Sequence, residues 1–422
     1  MAAAHLLLLL AASAAGRHLD ADDVGLGAGG DGAYPEELNP TLTDDGLTLI
    51  ESDIVLPEGV DRRALMAKRW PLGEAVPFVV TPEVEQRRTN IEAGISHIED
   101  VTCVTFREEP VEFAGAPHLR FINGSGCYSF LGQMQNKLSG QSVSIGKGCA
   151  ALVTVAHEIS HALGFFHEQS RPDRDQYVEV LWDNIKQGKE ANFRIKENAE
   201  TLGVKYDFRS IMHYAKFAFS TTGMPTLRSV DPLQGHLVGR RIGEMTHRDR
   251  AITNIAYQCA NHCTEPPACQ NEGYVDKFCQ CVCPEGVEGA LCENVPDDYS
   301  YYGPVCGDTD ITTPGVITSP GYPDSMEKDR HCYWLVTAPS GFAVRLTVTD
   351  VSMNDSPNCK RDRMSIRVEG DLRDEIESDC NTRLTGRSFV SVGNRLLVYF
   401  RTRGRSSRGR RFSGSVEFVP DV

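Results

Sequence analysis

The chain has 422 residues, of which 41% are hydrophobic and 24% are charged. This length exceeds what one hydrophobic core supports, so about two to four domains are expected. Residues 17–63 contribute −9 of the net charge of −15, because twelve acidic side chains there face three arginines. The remaining charge excludes a strongly basic nucleic-acid-binding surface, and no stretch after the N-terminal leucine run offers the 18 apolar residues of a membrane span.

The N-terminal segment carries two processing signals. Residues 1–15 are typical of a secretory signal peptide, because five consecutive leucines are followed by small residues. We therefore expect a secreted, extracellular protein. The acidic stretch that follows ends at the dibasic pair Arg62–Arg63, which predicts a removable pro-segment over residues 16–63. The alternative is a disordered tail beside basic residues that adjoin by chance.

Residues 64–260 mix strand and helix patterns. Ile91, Ile95 and Ile98 recur at helical spacing, and a more apolar helix is expected around Val153 and Ile159. Short runs rich in β-branched and aromatic residues predict strands at 76–80, 103–108, 118–123 and 142–146. The interleaving favours one α+β or α/β domain of roughly 200 residues.

The stretch VAHEISHALGFFHEQSRPDRD, residues 155–175, carries three spaced histidines. His157 and His161 are four residues apart, so on a helix they share one face and can bind one metal ion. Gly164 can end the helix in a left-handed turn and return His167 to the same ion. The donor set suits zinc, and three protein ligands leave one position for a water molecule.

Glu158 directly follows the first histidine and is placed to act as general base on that water. The alternative is that three structural histidines have this spacing by chance. The pattern H-E-x-x-H-x-x-G-x-x-H is typical of metzincin peptidases, which also carry a methionine turn. The segment SIMHY supplies one at residues 210–214, with Met212 beneath the metal.

After residue 260 the composition changes twice. Six cysteines fall within residues 263–292, a segment too short to be held by a hydrophobic core, so we expect disulfides there. Residues 294–305 have the composition of a polar linker. From residue 306 to 420, short strand patterns alternate with Gly and Pro turns, which predicts an all-β sandwich with four cysteines.

The sequence resembles the astacin family of zinc peptidases in HEISHALGFFHEQSRPDRD and YDFRSIMHY. Residues 261–293 are similar to an EGF-like module, and residues 306–420 to a CUB domain. The resemblance implies that Tyr214 is a further zinc ligand that stabilises the oxyanion during catalysis. It also implies that Glu168 pairs with the N-terminal amine of the mature enzyme, which cleavage after Arg63 would place on Ala64.

The resemblance further implies how the enzyme is kept latent. Family members hold an aspartate of a Phe-x-Gly-Asp motif on the zinc, and here the equivalent segment is IESDI, residues 50–54. Asp53 is the candidate, with Glu51 as the alternative, although Ile50 and Ser52 depart from the motif. The family also implies the disulfide pairs Cys103–Cys259, Cys127–Cys149, Cys263–Cys279, Cys269–Cys281, Cys283–Cys292, Cys306–Cys332 and Cys359–Cys380.

The C-terminal domain departs from CUB domains that bind calcium. Asp362 matches one expected ligand, but Asn354–Asp355 matches another poorly and the last loop has no carboxylate. We therefore expect no calcium at that site. This loop instead carries arginines that form either a patch for acidic matrix, such as sulfated glycans, or a solvated loop: Arg401, Arg403, Arg405, Arg408, Arg410 and Arg411. Asn123 and Asn354 begin N-x-S glycosylation sequons.

Taken together, these patterns predict a secreted zinc endopeptidase made as a zymogen. It would bind one Zn²⁺ per catalytic domain, and Glu158 would activate the zinc-bound water against peptide bonds of extracellular proteins. The EGF-like and CUB modules would recognise substrate or matrix. One alternative is a catalytically inactive relative that serves as a binding module. A scaffold with a structural zinc is a second alternative, although structural sites usually take four protein ligands.

Overall fold

A computed structural model of the chain describes most of the residues after the acidic N-terminal stretch. The expected signal peptide, Arg62–Arg63 and Ala64 lie outside the described residues, as do Arg405 and Arg408 of the last loop. The described ranges are 42–43, 47–57, 68–297, 299–303, 306–354, 359, 361–373, 377–380, 382–403 and 409–421.

Seven of the described strands form one mixed sheet in the N-terminal domain. They are β1 (Leu49–Ile50), β2 (Ile54–Val55), β3 (Val76–Val80), β4 (Phe106–Glu108), β5 (Leu119–Ile122), β6 (Cys127–Phe130) and β7 (Gln141–Ile145). Their order is β1-β2-β6-β7-β5-β3-β4. The four predicted strand runs are confirmed, although β4 begins only at Phe106. The short hairpin β1–β2 comes from the acidic segment, and its second strand extends the sheet by pairing parallel to β6.

Helices pack against this sheet and build the core that supports the histidines. They are α1 (Arg88–Val101), α2 (Leu152–Ala162) and α3 (His247–Ala256). The predicted isoleucines of α1 are all buried and share one core with Val153 and Ile159 of α2. A Cβ atom at Gly94 would lie 2.5 Å from Val155 Cγ1, so a glycine is needed where α1 and α2 approach closely. A small antiparallel pair, β8 (Val178–Val180) and β9 (Leu227–Ser229), lies beyond α2.

The cysteine-rich segment is a small unit that docks on α3. It contains the hairpin β10 (Tyr274–Val275) and β11 (Cys281–Val282) and three disulfides. The guanidinium of Arg248 donates to both carboxylate oxygens of Glu272 at 2.8 and 3.1 Å. The linker is not an independent spacer, because Tyr301 stacks on Arg248 at 3.7 Å and Tyr302 accepts from the same side chain at 3.1 Å.

The C-terminal domain is a two-sheet sandwich, as the strand pattern predicts. Among the described residues, the first sheet has the order β12-β14-β19-β16-β17 and the second has the order β13-β20-β15-β18. The strands are β12 (Cys306–Ile311), β13 (Gly315–Thr318), β14 (His331–Thr337), β15 (Phe342–Ser352), β16 (Arg363–Arg367), β17 (Glu377–Asp379), β18 (Ser388–Val390), β19 (Arg395–Arg401) and β20 (Arg411–Pro420). Their inward-facing apolar residues form a separate core.

All 14 cysteines lie among the described residues and are paired. The structure brings together the pairs that the resemblance implies: Cys103–Cys259, Cys127–Cys149, Cys263–Cys279, Cys269–Cys281, Cys283–Cys292, Cys306–Cys332 and Cys359–Cys380. The first of these joins the end of α1 to the end of the N-terminal domain across a separation of 156 residues. It therefore holds the first and last segments of that domain together.

The structure corrects the expectation for one arginine of the last loop, which was predicted to lie in a surface patch or a solvated loop and is instead buried. Arg410 is fully buried, and its Nε lies 3.2 and 3.0 Å from the two carboxylate oxygens of Asp362. Asp362 also accepts from the backbone amide of Arg403 at 2.8 Å. The carboxylate that matches one calcium ligand of related domains therefore faces the guanidinium of Arg410, and the lack of calcium at this site stays a prediction.

This buried pair generates a stability prediction. Replacing Arg410 by Ala leaves the Asp362 carboxylate buried without its cation, which is expected to destabilise the C-terminal domain by about 3–5 kcal/mol. Hydrogen exchange of β16 and β20 in the intact chain measures this. Arg411→Ala is the matched control, because its ion pair with Asp350 is partly exposed and worth about 0–1 kcal/mol. Equal protection in both variants would contradict the assignment.

Candidate metal centre and active site

The three histidines of the zinc motif are presented by one helix and the turn that ends it. His157 and His161 lie one turn apart on α2, which ends at Ala162. Gly164 follows with φ of 106°, a conformation open chiefly to glycine. Its amide donates to the carbonyl of His161 at 2.8 Å, and the next amide, of Phe165, donates to Ser160 at 3.1 Å. The predicted turn at Gly164 is therefore present and returns His167 to the end of the helix.

Four side chains converge at this point. The carboxylate of Asp53 has one oxygen 3.1 Å from His157 Nε2 and 3.2 Å from His167 Nε2, and the other 3.6 Å from His161 Nε2. All four groups are fully buried, and their ligand atoms lie within 4.8 Å of one another. In a tetrahedral zinc site with bonds near 2.0–2.1 Å, ligand atoms are ~3.3 Å apart. The observed separations match such a site.

The other ring nitrogens fix the orientation of the imidazoles. Each Nδ1 faces an oxygen acceptor, so Nε2 is the nitrogen directed at the shared centre. The acceptors of the Nδ1 atoms are Ile211 O at 2.7 Å for His157, Phe165 O at 2.7 Å for His161, and Glu51 Oε2 at 2.8 Å for His167. Acceptors behind ligating histidines are the usual support of a zinc site. The residues present therefore fit zinc.

The pKa values of the clustered side chains indicate an ionised carboxylate that favours a positive charge between it and the imidazoles. Burial lowers the pKa of His157 to about 4, so this imidazole is neutral and able to ligate. Burial also acts to lower the pKa of His167, but the carboxylates of Asp53 and Glu51 outweigh it and raise the value to about 9. Burial raises the pKa of Asp53, yet the neighbouring histidines bring it well below its ordinary range. A metal ion bound there would take the place of the proton on His167.

Three further residues of the predicted site lie around this centre. Glu158 follows His157 on α2 and is fully buried. Met212 is buried in the main core, and its carbonyl accepts from the amide of Glu168 at 2.9 Å. The ring of Tyr214 lies 4.5 Å from that of His167, centre to centre, and its hydroxyl donates to the backbone carbonyl of Glu51. The structure therefore places Tyr214 against His167 and in contact with the acidic segment, whereas Glu158 is buried on the same helix as His157 and Met212 is hydrogen-bonded to the residue after His167.

The hairpin loop of the acidic segment makes a second contact that the sequence did not reveal. Asp53 lies among the Nε2 atoms, whereas Glu51, the alternative candidate, lies against Nδ1 of His167. The second oxygen of Glu51 is 3.0 Å from Nζ of Lys196. Burial raises the pKa of Glu51, but His167 and Lys196 bring it below the ordinary value, so this carboxylate is ionised. Lys196 is 29 residues from His167 in the sequence, and no motif spacing points to it.

Glu168 lies on the opposite side of His167 beside a cavity. Its Oε1 accepts from the amide of Asp207 at 2.8 Å and from Arg171 at 3.0 Å. Burial raises the pKa of Glu168 to about 7 against the opposing charge of Arg171. A cavity of about 230 Å³ adjoins it, and Arg69 and Asp249 also line this cavity. The predicted partner of Glu168, the amine of Ala64, lies outside the described residues.

The two asparagines of the glycosylation sequons differ in environment. Asn123 is exposed. Asn354 is half-buried, and its side-chain nitrogen, the atom that would carry a glycan, donates to Asp362 at 2.8 Å. The next two residues of that sequon lie outside the described region of the chain. The geometry therefore favours Asn123 over Asn354, and glycosylation of either stays a prediction.

Comparison with known proteins places this geometry in a family context. Residues 62–258 match the family model described as Astacin (Peptidase family M12A), and residues 306–413 match the CUB domain model. Blastula protease 10 of Paracentrotus lividus is 35% identical over 361 residues, covering 84% of this chain and 59% of the relative. Zinc metalloproteinase nas-38 of Caenorhabditis elegans is 32% identical over 358 residues, covering 82% and 47%. The chain thus spans about half to three-fifths of the length of these relatives.

One of the solved structures with a match to this chain is a zinc-protease. High choriolytic enzyme 1, a hatching enzyme zinc-protease from Oryzias latipes, is 29% identical with a TM-score of 0.40. The match covers 48% of this chain and 99% of that one.

The cluster generates a metal-binding prediction. His161→Ala removes one of three imidazoles, and the variant is expected to lose the stoichiometric zinc that elemental analysis finds in the purified wild-type chain. His262→Ala is the control, because His262 is exposed, lies outside the buried cluster, and has as neighbours Cys263 and Cys279, whose sulfurs are joined in a disulfide and cannot act as thiolate ligands. Full zinc content in the His161 variant would show that the metal is held elsewhere.

Proposed function

The chain belongs, through residues 62–258, to the astacin family of zinc peptidases (peptidase family M12A), and we propose that it is a secreted zinc endopeptidase made as a zymogen. The observation that carries the proposal is the convergence of three buried imidazole nitrogens, with the buried Glu158 directly after His157 on the same helix. Zinc is the cofactor that this donor set fits. The substrates are proposed to be extracellular proteins or peptides.

His157, His161 and His167 would hold the zinc through Nε2. When bound, zinc lowers the pKa of a water molecule and polarises a peptide carbonyl. Glu158 removes the proton of the attacking water as general base and delivers it to the leaving amine as general acid. Tyr214 donates its hydroxyl hydrogen to the oxyanion of the tetrahedral intermediate, once that hydroxyl is released from the Glu51 carbonyl.

The acidic segment supplies the latency. Asp53 occupies the centre that the water and the substrate carbonyl need, and the hairpin β1–β2 holds it there by pairing with β6. Tyr214 is engaged by the same loop. A substrate therefore competes with a covalently tethered carboxylate, and removal of residues 16–63 is proposed to open the site.

The proposed cleavage after Arg63 gives a mature N-terminus at Ala64. The cavity beside Glu168 is lined by Arg69, and the five-residue separation from Ala64 spans at most ~17 Å of extended chain. The new amine can therefore enter the cavity and pair with Glu168. A cut after Arg69 would leave no chain to fill it.

The remaining proposals concern location and recognition. Seven disulfides support passage through an oxidising compartment and hence secretion. Within the described ranges, no helix combines the length and apolar character that crossing a bilayer requires. The disulfide-rich unit is proposed to be EGF-like, and it and the CUB domain would contact substrate or matrix. The described arginines left for a glycan contact are Arg401, whose guanidinium donates to the Cys359 and Arg361 carbonyls, Arg403, and Arg411, which is partly exposed and pairs with Asp350.

The mechanism predicts the effect of removing the base. Glu158→Ala in the activated enzyme is expected to lower kcat by at least about 10²–10⁴-fold, because no other group is assigned to take the proton from water. The measurement is hydrolysis of a fluorogenic peptide, with zinc content determined on the same sample. Retained zinc with lost activity supports the role, and wild-type activity in the variant would refute it. An inactive binding module would show no zinc-dependent hydrolysis in either protein.

Latency predicts a gain of activity. In a chain whose processing is blocked by Arg63→Ala, the further change Asp53→Ala is expected to raise peptide hydrolysis about 10- to 100-fold, since a charge-assisted contact is worth ~1.5–3 kcal/mol. Leu42→Ala, an exposed change in the same segment, is the control and should have no effect. If Asp53→Ala raised hydrolysis no more than Leu42→Ala does, another group would have to block the centre.

A further inference from the structure

One face of the C-terminal sandwich is buried although it points away from the core of that domain. In the paired strands β14 and β19, alternate residues belong to the sandwich core, and the residues between them point outward. Tyr333 and Tyr399 are directly opposite one another in the outward row, with ring centres 4.7 Å apart, yet they are only 0% and 4% exposed. Leu233 of the N-terminal domain packs against the same apolar cluster. The N-terminal domain therefore helps to cover this face.

An ion-pair group joins the two domains on the β16 side of this contact. Arg373 of the sandwich donates to the carboxylate of Glu179 in β8 at 2.7 Å. Arg228 in β9 lies 2.8 Å from the same carboxylate and 3.5 Å from that of Asp371. The hydrogen bond from Arg373 lowers the pKa of Asp371 to about 2, so Asp371 stays ionised in mildly acidic solution.

Two stacked histidines join the domains on the β14 side. His236 of the N-terminal domain and His331 of β14 have ring centres 4.3 Å apart and ring planes 25° apart. Nδ1 of His236 lies 2.9 Å from the hydroxyl of Tyr333, and Nδ1 of His331 lies 2.7 Å from that of Tyr399. Arg240 of the N-terminal domain lies 2.8 Å from Nε2 of His331. Because a guanidinium can only donate, this Nε2 is an acceptor and the His331 ring is neutral.

The electrostatic surroundings of the two rings are cationic. The charged groups that act on them come from both domains: Arg209 and Arg240 of the N-terminal domain, Arg367 of β16, Arg401 of β19 and Arg403 beyond it. The carboxylate of Asp329 acts in turn on Arg240. Burial is the largest cause and these cations add to it, so the pKa of His236 falls to about 3 and that of His331 to about 2. Both rings are therefore neutral while the domains are in contact.

The pH dependence of this contact follows from the state of the histidines after release. In water an imidazole has a pKa of about 6.5. Because the pKa of each ring is lower in the docked state, the histidines favour docking fully above about pH 6.5, and this contribution is lost as the pH falls below that value. At about pH 5 the docking equilibrium constant is expected to be ~30-fold lower for each histidine, and ~10³-fold lower for the pair.

We propose that His236, His331 and the ion-pair group form an interdomain clamp, which holds the CUB domain on the peptidase domain at neutral pH and releases it in a mildly acidic medium. Protonation of His331 replaces an acceptor by a donor at Nε2, so the hydrogen bond from Arg240 is lost and two positive charges meet there. The chain stays continuous, so release changes the position of the CUB domain relative to the metal centre. The clamp concerns domain arrangement and does not depend on hydrolysis.

The test is small-angle X-ray scattering of the intact chain between about pH 7.5 and about pH 4.5, with circular dichroism to show that both domains stay folded. The maximum dimension of the wild type should increase as the pH falls below about 6.5. The double variant His236→Gln/His331→Gln keeps polar side chains that do not titrate, and it should stay compact throughout. His262→Gln changes an exposed histidine outside the contact, so this control should extend as the wild type does.

A second pair of variants tests the clamp without touching the histidines. Arg373→Ala weakens the ion-pair group, so its extension should occur at higher pH than in the wild type. Arg345→Ala removes an exposed ion pair with Glu417 in the other sheet and should leave the transition where it is.

Three results would overturn the clamp. The first is a maximum dimension that is independent of pH in both the wild type and Arg373→Ala. The second is a double glutamine variant that is compact at neutral pH and extends on acidification as the wild type does. If the double variant is already extended at neutral pH, Arg373→Ala decides, and a transition at the wild-type pH or below would be the third.

Discussion

The contact of the Asp53 carboxylate with three buried imidazoles is the interaction on which the arrangement of the acidic segment against the N-terminal domain depends. An isolated buried carboxylate would be strongly unfavourable, and so would a buried imidazolium. The carboxylate is satisfied either by an imidazolium or by a divalent cation that the neutral imidazoles hold. This explains why a segment that pairs through only a few residues can fill the cleft, since its affinity comes from the charges at its loop more than from its strands. Under the proposed activation, severing the segment would lower the local concentration of the carboxylate, which the tether otherwise keeps high.

The metal ligands could be predicted from the sequence because their geometry is local. Spacing on a helix and a glycine turn fix where His157, His161 and His167 point, and both features follow from backbone stereochemistry alone. The strands and the helix α1 were likewise readable from periodicity. The contacts of Lys196 and Arg410 could not be read in this way, because each depends on a partner far away in sequence that only the complete fold brings near. Tyr214 and Glu168 were accessible only through the family resemblance.

The structure also shows how the IESDI segment accommodates its two departures from the family motif, Ile50 and Ser52. Ile50 lies in a small apolar cluster with Ile54 and Leu131, so an aliphatic side chain fills the place that the motif gives to Phe. Ser52 has φ of 73° and Glu51 has φ of 48°, conformations that glycine adopts freely and that cost other residues about 1–2 kcal/mol each. The loop is therefore strained, and the contacts of Asp53 and Glu51 offset that strain.

The same hairpin also protects the sheet. In the order β1-β2-β6, strand β6 is an interior strand only because β2 pairs with it, and the Ser129 amide donates to the Asp53 carbonyl at 2.8 Å. Under the proposed removal of the acidic segment, β6 would become an edge with unpaired backbone groups near the three histidines. An extended substrate that adds to this edge recovers those hydrogen bonds irrespective of its sequence, because they involve only backbone atoms.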